Sequence, residues 1–218
     1  MEIALKEVSG SFHPLQMTFT RVLAGGLFLI PFAVRTLKKK KASLNWKDLP
    51  GFLLLGFVGM VLSMSIYQMS VKEVPASVVA VLFSSNPIFT AVLAFFMLKE
   101  PIRRNQIAAL LLEIGGILAI INPFHTSLSP YGVLLAMIST LLFAVYGVMG
   151  KRRCARFGGV VVTCASFLCG GAEMLFMILF SRLPMVNKWL AGSGLELFAN
   201  IPLLSGYSWN TLPWMLMI

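Results

Sequence analysis

Two carboxylates interrupt long apolar runs: Glu113 in QIAALLLEIGGILAIIN and Glu173 in GVVVTCASFLCGGAEMLFMILF. An ionisable side chain at the depth of a bilayer costs about 2.5–3.5 kcal/mol on insertion scales, so each needs a reason to be there. One reading is proton coupling, or pairing with an amine. The other is a protonated carboxyl that holds two helices together. A second group surrounds Pro87 in ASVVAVLFSSNPIFTAVLAFFML. A proline inside a helix removes a hydrogen bond and clashes with the carbonyl four residues earlier, here that of Phe83. Freed backbone at membrane depth must face protein or a wet cavity, and Ser84, Ser85, Asn86 and Thr90 add polar groups beside it. These residues are substrate-binding candidates, although the same side chains would also satisfy a purely structural kink. Arg21, two turns into its own apolar run, is a further candidate for an anionic group, with snorkelling to headgroups as the alternative. No catalytic residue is assigned, and no phosphate loop, nucleophile elbow or metal-ligand spacing is expected to supply a metal or cofactor site.

The elements that must carry these residues follow from composition. Of 218 residues, 58% are hydrophobic and 12% charged, against about 45–50% and about 25% in soluble domains. The apolar blocks recur along the whole chain, which excludes a cleaved leader followed by a soluble body. A membrane-crossing helix needs about 20 such residues. Blocks of that kind fill 15–34, 50–70, 76–98, 106–122, 130–150 and 159–180, and LPWMLMI at 212–218 begins another. The expected fold is all-α: a polytopic helical membrane protein with six full spans and the start of a seventh. Cys154, Cys164 and Cys169 read as small buried residues rather than ligands. His13 and His125 lie in connections and suggest no ligand pair. Tyr67, Gln68 and Tyr146, near span ends, read as interfacial anchors.

Charge sorts the connections. Thirteen of the eighteen basic residues fall in three alternate loops, 35–47, 99–104 and 151–156. By the positive-inside rule these loops are cytoplasmic and the first span runs from outside to inside. The net charge of +10 therefore orients helices and meets lipid headgroups, and nucleic acid is not an expected partner.

The chain also repeats itself. Residues 12–37 laid over 157–182 match Phe12 with Phe157, Thr18 with Thr163, Leu23 with Leu168, Gly25 with Gly170 and Gly26 with Gly171. NWKDLPGFLLL laid over SWNTLPWMLMI then matches Trp46 with Trp209, Leu49 with Leu212, Pro50 with Pro213 and Leu53 with Leu216. Matching elements are separated by an odd number of spans, so the two copies have opposite topology, the arrangement of alternating-access transporters. On this register 1–123 is a first repeat lacking its first helix, and 124–218 a second repeat cut in its third helix. The expectation is the middle of a protein with five plus five spans. The paired glycines, with Gly115 and Gly116 in the fourth span, are expected at close helix contacts.

The stretch SVKEVPASVVAVLFSSNPIFTAVLAFFMLKEPIRRNQIAALLLEIGGILAIINP resembles the signature half-repeat of the EamA-type drug/metabolite transporter superfamily. Its elements are small residues opening a helix, a mid-helix proline followed by an aromatic and a threonine, Leu-x-Glu, a basic loop and a glycine-rich closing helix. HPLQMTFTRVLAGGLFLIPFA is similar to that family's second helix, including the arginine. The resemblance implies ten helices in two inverted halves and secondary transport of small metabolites, often amino acids, usually outward. It implies a multi-pass protein of a bacterial plasma membrane. The expected partners are the lipid bilayer, a small-molecule metabolite, a coupling proton and, in some assemblies, a second copy. The rival readings are an inactive fragment of such a transporter and a membrane-embedded enzyme using Glu113 and Glu173 as an acid–base pair.

Overall fold

The structure, a computed structural model, describes residues 13–101, 104–121, 129–183, 185–186 and 201–202. These are helical with short connections and contain no strand. Helix α1 spans Pro14–Lys40. Helix α2 (Leu49–Gly56) passes through a π-helical stretch, Phe57–Ser63, into α3 (Met64–Glu73). Helices α4 (Ala76–Ser84) and α5 (Asn86–Leu98) are the two halves of one span. Helices α6 (Arg104–Ile121), α7 (Pro130–Phe157) and α8 (Gly159–Ser181) follow. Among the described residues five segments are long and apolar enough to cross a membrane: Leu15–Lys40, Trp46–Glu73, Ala76–Leu98, Pro130–Phe157 and Gly159–Ser181. The expected fourth span corresponds to α6, and the expected start of a seventh lies outside the described residues.

Local chemistry sets the helix ends. Helix α1 starts on His13, whose Nδ1 accepts from the Leu15 amide at 3.4 Å, with Pro14 in the first turn where its missing N–H costs nothing. It stops at Lys41, which takes the left-handed conformation (φ 50°) and donates to the Lys38 carbonyl. Ser129 caps α7, again with a proline next in sequence. Helix α7 ends at Gly158, whose φ of +93° turns the chain directly into α8. A side chain there would be strained, and its Cβ would also lie 2.9 Å from Thr36.

Two antiparallel pairings organise the bundle. Helix α1 lies against α8 from Leu15 and Ile178 at one end to Thr36 and Gly158 at the other. The α2–α3 span lies against α7, tied by Ser70 Oγ donating to the Gly132 carbonyl at 2.8 Å and by Arg156 pairing with Asp48 at 2.9 Å at the far end. The α4–α5 span runs parallel to α7, with Phe83 on Phe143 and Arg152 donating to the Met97 carbonyl. All three basic loops thereby converge on one end of the bundle. Lys40 reaches the Ala155 carbonyl at 3.2 Å, and Lys151 pairs with Glu100. Arg153 and Arg156 lie over the rings of Phe52 and Phe157. The outer faces of the spans carry large exposed apolar side chains such as Phe28, Phe96 and Phe176. In water such patches would drive aggregation, whereas lipid tails cover them at no cost.

Among the described residues helix α6 packs sparsely, against α4. Leu111 and Leu112 are exposed, and a Cβ on Gly115 or Gly116 would meet nothing within 4 Å. The close helix contact expected at these two glycines is not made among the described residues.

Candidate functional site

The other paired glycines do sit at helix contacts. A Cβ on Gly26 would lie 3.1 Å from Leu168, and one on Gly171 would lie 3.5 Å from Leu23. The two contacts are reciprocal in the repeat register, in which Leu23 matches Leu168 and Gly26 matches Gly171. At the adjacent Gly170, α8 is crossed by α2, where Gly56 meets it. Immediately after this crossing the chain widens into the π-helical stretch, a geometry found mostly as single wide turns at functional sites. Here it buries Gly59, Met60, Val61 and Ser63. Gly59 has no side chain to hold off the ring of Tyr146, which lies against its backbone. Ser63 and Ser139 then lock this span to α7, each hydroxyl donating to the other residue's carbonyl, at 2.9 and 2.8 Å.

A half-enclosed cavity of about 290 Å³ opens beside this wide turn. Arg21 and Val22 of α1 form one wall, and Met60 and Met64 another. Phe143 and Tyr146 of α7 and Thr163 and Phe167 of α8 close it. Polar groups in it are few: the Arg21 guanidinium, the Tyr146 hydroxyl and the Thr163 hydroxyl, with Tyr146 also facing Ser166. Arg21 has Tyr67 as its electrostatic neighbour, and no carboxylate lies within salt-bridge distance of it among the described residues. A chain of aromatic rings, Tyr67–Phe83–Phe143–Tyr146, with centroids 5.2–5.5 Å apart, runs from the neighbourhood of Arg21 past the broken α4–α5 span to the cavity wall.

The sequence candidates are distributed over four places. Arg21 lines the 290 Å³ cavity. Glu173 lines a different, shallow groove of about 480 Å³ between Phe57 and Val61 on one side and Phe176, Met177 and Phe180 on the other. Its Oε2 is buried and has no hydrogen-bond partner among the described residues. Glu113 is half-buried on the loosely packed α6 and lines neither space. Pro87 occupies the first turn of α5, after a break at Ser85 (φ −70°, ψ 1°). The hydroxyls of Ser84 and Ser85 turn back onto the Val81 and Leu82 carbonyls at 2.6 and 2.5 Å, and Thr90 bonds to Asn86 at 3.4 Å. None of these five residues lines the Arg21 cavity. The structure therefore does not bring Glu113, Glu173 and Arg21 together.

Tyr67, Gln68 and Tyr146, expected as interfacial anchors, are turned inward. Gln68 donates to Thr18 at 3.1 Å, Tyr67 packs edge-on against Phe83, and Tyr146 lines the cavity. The reason is length. Helix α7 continues seven residues beyond the expected span end at 150, with the basic KRRCARF as its last turns, so Tyr146 sits deeper than a count from 150 suggests. Thr163 was marked in sequence only as the counterpart of Thr18. Gly59 and Met60 carried no signal, because a π-helical turn leaves the apolar run unbroken.

Relatives of known class share this architecture. The model of the EamA-like transporter family matches residues 2–122. An uncharacterized transporter of Clostridium kluyveri is 32% identical over 184 residues, covering 82% of this chain and 59% of its own length. An uncharacterized inner membrane transporter of Escherichia coli K12, YedA, is 27% identical over 212 residues, covering 90% of this chain and 65% of its own. The chain thus spans under two thirds of the length of both these relatives. A solved crystal structure shares the fold with a TM-score of 0.60 at 20% identity, over 98% of this chain and 72% of that one. With a family model matched over more than half its length and five segments among its described residues long and apolar enough to cross a membrane, the chain belongs to the EamA-like transporter family.

Proposed function

We propose that the chain carries the core of a secondary transporter that moves small metabolites outward across the plasma membrane by alternating access of two inverted repeats, 1–123 and 124–218. The observation that carries this reading is the Arg21 cavity, a partly polar space at the depth where α1, α8, α7 and the wide turn of the second span meet. Transporters place substrates near the midplane, at the interface of repeats and beside irregular helices. The reciprocal Gly26–Leu168 and Gly171–Leu23 contacts support a two-fold relation between α1 and α8. Coupling falls to Glu173, whose unpartnered oxygen can take up a proton without breaking an existing bond. Glu113 is the second candidate.

Proteoliposomes containing the full chain, loaded with a mixture of labelled small metabolites, test the reading. The expected result is release faster than from empty vesicles, stimulated by a proton gradient. Release equal to that of empty vesicles, with the protein folded and inserted, rejects it. In the same assay Glu173→Gln should flatten the dependence on the gradient while Glu113→Gln leaves it in place.

A further inference from the structure

We infer that the cavity beside Arg21 selects a small monocarboxylate with an aromatic or branched apolar body, and selects against amines and zwitterions. This rests on the reading of that cavity as the transport site and goes further by assigning its chemistry. The guanidinium of Arg21 stands inside a membrane-spanning helix with no carboxylate in salt-bridge reach among the described residues. The two ion pairs among the described residues lie at the basic end of the bundle. A cation partly withdrawn from water beside a tyrosine, with no carboxylate, gains from an anion, and the planar fork of arginine matches both oxygens of a carboxylate. The Tyr146 and Thr163 hydroxyls, which interact with one another, are the other polar groups of the lining.

The rest of the lining decides between acids. Met60, Met64, Phe143 and Phe167 offer adaptable sulfur and ring surface to an apolar body. None of the lining residues is acidic. Glu173 opens into the separate groove on another face of α8, so an ammonium group in the cavity would lie near Arg21 with no counter-charge. An amino acid would bring that ammonium with its carboxylate, whereas a simple carboxylic acid would not. The volume of about 290 Å³ stands at the lower end of small-molecule sites, about 300–1,000 Å³, which limits the body to roughly one ring.

The test is equilibrium binding to the purified full chain in detergent, measured by calorimetry with phenylacetate, phenylalanine and phenethylamine, followed by flux of each in proteoliposomes. Phenylacetate should bind more than about tenfold tighter than either amine-bearing compound, and Arg21→Gln should remove that preference. Tyr146→Phe, which keeps the ring packed on Gly59, should weaken phenylacetate several-fold while the protein still folds and elutes as the parent does. This second variant keeps the test decisive if Arg21→Gln fails to fold. Equal affinity for phenylalanine or phenethylamine, or phenylacetate affinity untouched by both substitutions, overturns the inference. Arg21-dependent phenylacetate binding without flux would uphold the site and reject transport. Flux of other metabolites with no carboxylate preference would do the reverse.

Discussion

Gly56 and Gly170 meet backbone to backbone: a methyl group on Gly56 would lie 2.6 Å from the Gly170 amide nitrogen. Nothing flexible can yield there, so the two spans would have to separate. Gly56→Ala should therefore lower stability by about 1–3 kcal/mol, as overpacking in a filled interior does. Gly171→Ala, whose methyl would sit 3.5 Å from Leu23, should be close to neutral. Thermal unfolding of both variants in detergent, followed by size-exclusion, compares them directly.

The Ser63–Ser139 pair makes a different kind of contact, two hydroxyls each bonded to the other residue's carbonyl. Interhelical bonds of this type are worth about 0.6 kcal/mol on average in membranes. Ser63→Ala and Ser139→Ala should each cost about that much. Because each acceptor is backbone and survives the partner's mutation, their coupling in a double-mutant cycle should stay below about 0.5 kcal/mol. A larger coupling would mean that the hydroxyl–hydroxyl contact at 3.5 Å dominates.

At Pro87 stability and activity are expected to part. Pro87→Ala restores an amide that can donate to the Phe83 carbonyl and lets α4 and α5 join into one helix. Melting temperature should hold or rise while flux falls, since the break lies beside Phe83 and Phe143 in the ring chain leading to the cavity. Undiminished flux would show that the break serves packing alone.

The start of α1 should be sensitive to acid. Burial first, and Lys72 second, hold the His13 imidazole below its ordinary value of 6.5, and its Nδ1 must be unprotonated to accept from Leu15. As pH falls through about 6.5 the unfolded chain binds the proton before the folded one, so stability present above that pH is lost below it. Melting temperature between pH 8 and pH 5 should fall for the parent. The fall should be shallower for His13→Asn, which caps the helix without titrating.

Much of this was legible in the residues, and what was not has physical causes. Apolar length announced the spans, and alternate basic loops announced which ends lie together. The contacts at Lys40, Arg156 and Lys151 bear out that grouping. The repeat pointed to the glycines at the α1–α8 contact. Gly115 and Gly116 meet no neighbour among the described residues, since a small residue permits close approach without requiring it. Tyr146 faces inward where a span ending at 150 predicts an interface, because the helix continues through the basic residues to Phe157. The wide turn at Phe57–Ser63 stayed hidden, since a change in hydrogen-bond register alters neither hydrophobicity nor its approximate period. The serines at the α4–α5 break bond the Val81 and Leu82 carbonyls, the arrangement that the structural-kink alternative expects.

The π-helical stretch and the Ser85 break share one depth, for Tyr146 rests on Gly59 and Phe143 on Phe83. Above and below, the same spans are fastened to α7, by Ser70 at one end and by Asp48 and Glu100 at the other. The two interruptions therefore lie between fastened ends, with the Ser63–Ser139 bonds to α7 close to the same level. Under the proposed alternating access, bending is expected where regular backbone bonding is interrupted, at the level of Arg21, so that a ligand bound there would act at a fulcrum.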